Sequence, residues 1–263
     1  MELPFGMRPS TLAERKAFYT KFDFARARDW IGRKAVYAVI MGRHSNIYPP
    51  EYKADKDVPL AIDNYRSLAD VRAKVLKFLP EGVYYDRNYY KDFSLCHSYA
   101  LQKAAWRWSN FDGQQLAFDI DPENVLGKEA LEKRIRSGQG LSFSAEMFWR
   151  ARDNTLLVHD LLAENYSDLR IVFSGRGFHV HVFDDDARWL SRKERAALAG
   201  RFSGLGIDKW VTEGESRLIR LPYSLNGAST RVVTPLKKSR LEKIDPAKDF
   251  KPSFPSCRSS TSS

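Results

Sequence analysis

Asp119 and Asp121 stand two residues apart in Phe118-Asp119-Ile120-Asp121, at the end of an apolar run that begins at Leu116. On a β-strand such residues share one face. Phe118 and Ile120 then turn to a core and both carboxylates to a cleft. Two carboxylates in one place repel each other. A divalent cation removes that repulsion, and oxygen ligands suit Mg²⁺ or Mn²⁺. The spacing alone favours a strand end that runs into a solvated turn at Asp121-Pro122-Glu123-Asn124, and the apolar Leu116-Ala117-Phe118 before it weighs against that.

A second stretch, Ser174-Gly175-Arg176-Gly177, precedes Phe178-His179-Val180-His181. Two glycines in a four-residue link between strands allow positive φ and close approach of backbone to a ligand. Amides in such a link can nest phosphate oxygens, with Ser174 and Arg176 as side-chain donors. His179 and His181 share one strand face. No cysteine lies near them, so phosphate is favoured over metal as the histidine ligand. A third stretch places Asp208 ahead of Arg217-Leu218-Ile219-Arg220-Leu221-Pro222. Arg217 and Arg220, three apart on a strand, face opposite ways, one free for an anionic ligand and the other for a structural pair. Together the three stretches read as equipment for a nucleoside triphosphate with divalent metals. His44, His97 and His159 fit no such pattern and read as structural.

These residues need strands and a hairpin to position them. Leu116–Ile120, Leu169–Phe173 and Phe178–Phe183 read as strands, the last two joined by the glycine link. Lys34–Met41, Val83–Tyr85, Arg217–Leu221 and Arg231–Thr234 read as further strands. Capping boxes at Thr11, Ser67 and Ser191 open helices. The pattern also predicts helices over Phe93–Ala105, Lys128–Arg136 and Ser144–Asn165, the last with Phe148, Leu157, Val158, Leu161 and Leu162 inward. Arg43–Asn64 reads as a loop, and Asp184-Asp185-Asp186 as a solvated turn or helix entry. Helices and antiparallel strands intermix, which argues for an α+β fold.

The chain has 263 residues, 43% of them hydrophobic, enough for one large domain or two small ones. No apolar run approaches the ~18 residues that span a bilayer, and Met1–Ser10 lacks the apolar stretch of a secretory signal. The only cysteines, Cys96 and Cys257, exclude a disulfide framework and a four-cysteine zinc site. A reduced, cytoplasmic setting follows, with no membrane partner. The net charge of +10 favours polyanions, nucleic acid first. Aromatics interleave with basic residues in Tyr84–Lys91 and Trp106-Arg107-Trp108, a mixture that can stack bases while pairing phosphates.

At these residues the chain resembles the archaeo-eukaryotic primase superfamily. Catalytic subunits of that superfamily carry an Asp-x-Asp strand, a Ser-Gly-x-Gly-x-His hairpin and a later Asp before an Arg-Leu-Ile-Arg-Leu-Pro-like segment. All three stand here in order, within Leu116–Leu236. Pro80–Tyr90 and the helix containing Phe18-Tyr19 also look like the small primase subunit. Two departures matter. The replicative subunit usually carries a cysteine-rich zinc knuckle, which this chain cannot build. It also tends to read Ser-Leu-His-Gly where Ser224-Leu225-Asn226-Gly227 stands here. Val232–Leu236 and Ile244-Asp245-Pro246-Ala247 look more like the polymerase domain of bacterial end-joining ligases. The best match is a stand-alone archaeal primase-polymerase of the non-homologous end-joining type.

That resemblance implies one catalytic domain over 1–250, divided into two subdomains near 110, and a disordered tail over 251–263. It implies an RRM-like catalytic half packed on an α/β module around a central cleft. Asp119, Asp121 and Asp208 would hold two Mg²⁺ or Mn²⁺ ions. Ser174, Gly175, Arg176, Gly177 and His179 would hold a nucleoside triphosphate, with Arg220 a further contact. The expected activity is template-directed extension of DNA 3′ ends with NTPs or dNTPs at double-strand breaks bearing a 5′-phosphate, beside Ku and a separate DNA ligase. The small subunit of a replicative primase, a metal-dependent nuclease and a non-catalytic single-strand binding module are the alternatives.

Overall fold

The computed structural model describes residues 2–32, 35–96, 108–136, 142–214 and 217–254. Among them the strands are, in chain order, β1 (Tyr37–Ile40), β2 (Leu60–Ile62), β3 (Gly82–Asp86), β4 (Asn88–Tyr90), β5 (Phe111–Gln114), β6 (Leu116–Ile120), β7 (Leu169–Phe173), β8 (Phe178–Val182), β9 (Leu218–Arg220), β10 (Leu225–Asn226), β11 (Arg231–Val232) and β12 (Thr234–Leu236). They form two four-stranded sheets, ordered β2-β1-β3-β9 and β12-β7-β8-β6, and two ribbons, β4-β5 and β10-β11. Neighbouring strands in both sheets run antiparallel.

The second sheet has the RRM-like plan. β6 leads through the helix Ala145–Ala163 to β7, and β8 returns between them. The helix Arg192–Arg201 then leads to Ile207, which makes a lone antiparallel bridge to Ile120 on the outer side of β6. The fourth strand of the plan is thus reduced to a single bridge, and the next residue is Asp208. β12 extends the opposite edge, where Pro235 costs no ladder bond on its outward side.

Strand alternation sorts the two faces. Phe118, Ile120, Ile171, Phe173, Phe178 and Val180 pack on Phe148, Ala151 and Val158 of the long helix. Ala117 and Val172 face the other way and join a core with Tyr37, Val39, Val83, Tyr85 and Ile219 of the first sheet. Asp119 pairs with His179 and Ala117 with His181 in the β6–β8 ladder. Both histidines and Asp119 therefore face the space between the sheets.

The three capping boxes stand as read, at Thr11, Ser67 and Ser191, and Asp184 enters a short helix, Asp185–Arg188. Four readings need correction. Leu157 is 47% exposed, because nine residues at about 100° each carry it to the face opposite Phe148. The expected loop after Arg43 contains β2, a three-residue edge strand among charged flanks. Arg231–Thr234 divides into β11 and β12 at Val233. Of the helix expected over Phe93–Ala105, Phe93–Cys96 is a single 3₁₀ turn. Positions 97–105 lie outside the described residues, as do His97, Trp106, Arg107, Cys257 and the tail from 255. Among the described residues no helix is long and apolar enough to cross a membrane.

Candidate active site

Asp119 is the centre of the site. Its carboxylate faces His179 across the ladder, with Oδ1 3.5 Å from Nε2. Asp208 is drawn alongside by backbone pairing, its N–H donating to the Asp119 carbonyl at 2.7 Å. The Asp208 side chain caps the short helix Lys209–Thr212, accepting from the Trp210 N–H at 2.9 Å. Asp121 ends the same strand and precedes the 3₁₀ helix Pro122–Leu126. Burial holds the Asp119 carboxyl well above its ordinary range, and the charges of Asp121 and Asp208 push it further. Burial also raises Asp208, again with Asp121 adding to the effect. Asp119 Oδ1 is buried and has no hydrogen-bond partner.

His179 is neutral, because burial and then the charges of Arg220 and Arg87 lower it to about 3. Its approach to Asp119 is therefore not an ion pair. His181 lies deeper, with Nδ1 3.2 Å from Gln115 Oε1 and its ring edge-on to Trp30. That makes His181 a core residue and leaves His179 as the histidine at the site.

The hairpin closes on itself: Ser174 N–H donates to Gly177 O at 2.9 Å, and Gly177 N–H to Ser174 Oγ at 3.1 Å. Gly175 has φ +99°, and a Cβ there would lie 2.3 Å from the Asn226 Cβ. A Cβ on Gly177 would lie 2.4 Å from the Ile120 carbonyl oxygen and 2.7 Å from Asp121 Oδ1. The glycines thus let the hairpin press against Asn226 on one side and the aspartate strand on the other. Asn226 is buried and donates from Nδ2 to Ser174 O at 3.0 Å.

The Arg176 guanidinium donates to Glu123 and lies 4.0 Å from Asp121 Oδ2. Burial alone would lower its pKa, but the charges of Glu123 and Asp121 outweigh it and hold the group ionised. Burial, together with Asp121, raises Glu123 to about 7. The solvated turn that the sequence offers as the alternative at Asp121–Asn124 does not hold for Glu123, which is buried.

Arg220 comes from the first sheet. It stands over the Tyr84 ring at 5.0 Å, and a Cβ on Gly82 would meet Nη1 at 2.6 Å. Nη1 is buried with no hydrogen-bond partner, and the charge lowers both Asp119 and His179. Arg217 goes the other way, to the buried Asp86 at 3.6 Å. Arg87, missed in the sequence, lies behind the acids, donating to Gln115 O at 2.7 Å and Val211 O at 2.6 Å.

The nine residues that the resemblance assigns to metal and nucleotide therefore lie in one region, while His181 and Arg217 turn away from it. Among the described residues no three His, Cys, Asp or Glu side chains stand close enough to enclose a metal as they are. The donor set still suits a hard divalent cation: oxygen ligands only, one of them orphaned, held in mutual repulsion that positive charge would relieve.

In this mixed fold the aspartate strand and the histidine strand lie side by side, next to the glycine hairpin. The family model for the DNA primase small subunit matches residues 118–209, a span that holds all three aspartates and the hairpin. A DNA primase small subunit-like protein of Archaeoglobus fulgidus is 49% identical over 259 residues, covering 95% of this chain and 92% of its own length. The primase small subunit PriS of Pyrobaculum aerophilum is 26% identical over 223 residues, covering 68% of this chain and 67% of its own. The chain belongs to the DNA primase small subunit family of the archaeo-eukaryotic primase superfamily. Among solved structures, the polymerase domain of Mycobacterium tuberculosis Ligase D in complex with DNA shares the fold. Its TM-score is 0.52 at 17% identity, over 94% of this chain and 89% of that one.

Proposed function

We propose that the chain extends the 3′ end of a DNA strand under the direction of a template, with Asp119, Asp121 and Asp208 holding two Mg²⁺ or Mn²⁺ ions. Ions bound there would lower the pKa of the attacking 3′-hydroxyl and neutralise charge on the departing pyrophosphate. The chain's own residues do the positioning. The hairpin amides of Gly175 and Arg176 and the Ser174 hydroxyl face the triphosphate, and neutral His179 offers it a hydrogen bond beside Asp119. Arg176 exchanges Glu123 for phosphate oxygens, and Arg220 adds positive charge from the opposite sheet.

The observation that carries this reading is the 2.7 Å bond from the Asp208 amide to the Asp119 carbonyl, which joins the third acid to the Asp-Ile-Asp strand beside the hairpin. Gap filling at broken ends is the biological setting that the Val232–Leu236 segment favours, with NTPs or dNTPs as substrate and Ku and a separate ligase as partners. The names of the curated relatives support a second setting, the catalytic subunit of a replicative primase.

Labelled primer-template, incubated with metal and nucleotides, tests both. The wild-type chain lengthens the primer and Asp119→Ala does not. Shortening of the primer without nucleotides would replace the polymerase reading with a nuclease. Synthesis on an unprimed single strand would favour the primase setting, and extension across two bridged ends the repair setting.

A further inference from the structure

Trp210 is 69% exposed and lies two residues beyond Asp208. Its helix, Lys209–Thr212, turns Val211 and Thr212 into the core and leaves Lys209 and Trp210 outside. The Trp210 N–H is held by Asp208 Oδ1, and the helix packs against β6 and against Arg192–Arg201. The backbone that carries the indole is therefore fixed to one of the three acids. A ring of this size normally buries most of its surface, as Trp30 does at 7% exposure.

A second indole, Trp189, is 59% exposed. The Arg188 guanidinium stands over the Tyr89 ring at 4.2 Å and the Trp189 ring at 5.4 Å. A Cβ on Gly113 would meet the Arg188 side chain, and one on Gly214, past the end of the Trp210 helix, would meet Gln114. Both exposed indoles stand on a chain whose net charge is +10, and the nearer of them in sequence to the acids is Trp210, two residues past Asp208.

We propose that Trp210 is a stacking platform for an unpaired base of single-stranded DNA beside the acids, with the exposed Trp189 a second platform. Every base offers a π-face, so such stacking is independent of sequence, and the exposed Lys209 neutralises an adjacent phosphate. The inference rests on the reading of the site as one that acts on DNA.

Fluorescence anisotropy of a labelled oligothymidylate tests it at several salt concentrations. Trp210→Ala weakens binding by about tenfold, within the range of one lost base stack, and leaves the melting temperature and the salt slope unchanged. Trp210→Phe retains most of the affinity, and Trp189→Ala loses less than Trp210→Ala. Wild-type affinity in Trp210→Ala, or no binding by the wild-type chain, overturns the inference. Asp119→Ala separates the two claims, since it binds the oligonucleotide normally and fails to extend a primer. Extension by Asp119→Ala, with binding lost in Trp210→Ala, would sink the metal reading and keep the platform.

Discussion

Gly177→Ala tests the contact between hairpin and aspartate strand most directly. The added Cβ would lie 2.4 Å from the Ile120 carbonyl oxygen and 2.7 Å from Asp121 Oδ1. The carboxylate oxygen can turn aside, but the Ile120 carbonyl is backbone and yields only if the strand moves. Ordinary contact begins near 3.4 Å, so β8 and the end of β6 must part by about 1 Å. A displacement of about 1 Å at reacting groups costs roughly 10²-fold in rate, or about 2.7 kcal/mol. Overpacking should also cost about 1–3 kcal/mol of stability, or roughly 2–4 °C of melting temperature per kcal/mol at this chain length. Steady-state primer extension should therefore show kcat down by about 10²-fold in a chain that still folds. Gly200→Ala is the control, because Gly200 sits in the helix Arg192–Arg201 with nothing within 4 Å of an added Cβ. It should leave extension unchanged and stability equal or slightly raised. A Gly177→Ala variant that extends primers at the wild-type rate would show that the hairpin does not press on Asp121, and the geometry argued for the site would fall.

Two further predictions concern charge and nucleotide affinity. Asp119→Asn removes a buried charge whose folded pKa is raised by burial and by Asp121 and Asp208. Such a group costs stability as pH climbs above its unfolded value of 3.8, because the folded state then holds the proton more tightly than the unfolded state. In chelator, the melting temperature of Asp119→Asn minus that of wild type should be smallest near pH 4 and grow toward neutrality, reaching a gain of about 0.5–2 kcal/mol. Added Mn²⁺ should erase the difference by stabilising the wild-type chain alone; a pH-independent difference would mean that Asp119 bears no charge penalty. His179→Ala should raise the nucleotide KM about five- to tenfold, the worth of one hydrogen bond near 1 kcal/mol, with a smaller effect on kcat. An unchanged KM assigns His179 to packing.

The local grammar of the chain made the positions of Asp119, Asp121 and His179 legible. Strand alternation put the acids opposite Phe118 and Ile120, and a short glycine link between two apolar runs announced the hairpin. The opposed directions of Arg217 and Arg220 followed from the same rule. What stayed hidden depends on contacts far apart in the chain. Glu123 is buried because Arg176 meets it from another strand. Asn226 matters because its amide reaches Ser174 O, and no local pattern predicts that. Asp208 arrives beside Asp119 through one bridge at Ile207, too short a strand for hydrophobic periodicity to reveal. β2 was missed for a similar reason, since three residues among charges carry little signal.

The arginines explain why the acids stay uncompensated. Three guanidinium groups lie close enough to shift the pKa values of the site, yet each is restrained by other partners. Arg87 is held by the carbonyls of Gln115 and Val211, so it cannot swing forward onto the carboxylates. Arg176 is committed to Glu123. Arg220 is stacked on Tyr84 and fits the space that Gly82 leaves open. His179, neutral at physiological pH, contributes no charge. A cation folded over Asp119 would offset part of the rise that burial and the neighbouring acids impose, in the direction that Arg8 moves the more exposed Glu14. Instead Asp119 is pushed up, and the repulsion among the acids is left for a mobile cation to relieve. A fold that holds its arginines this way gives up stability at the site, which is the cost that the proposed metal role would explain.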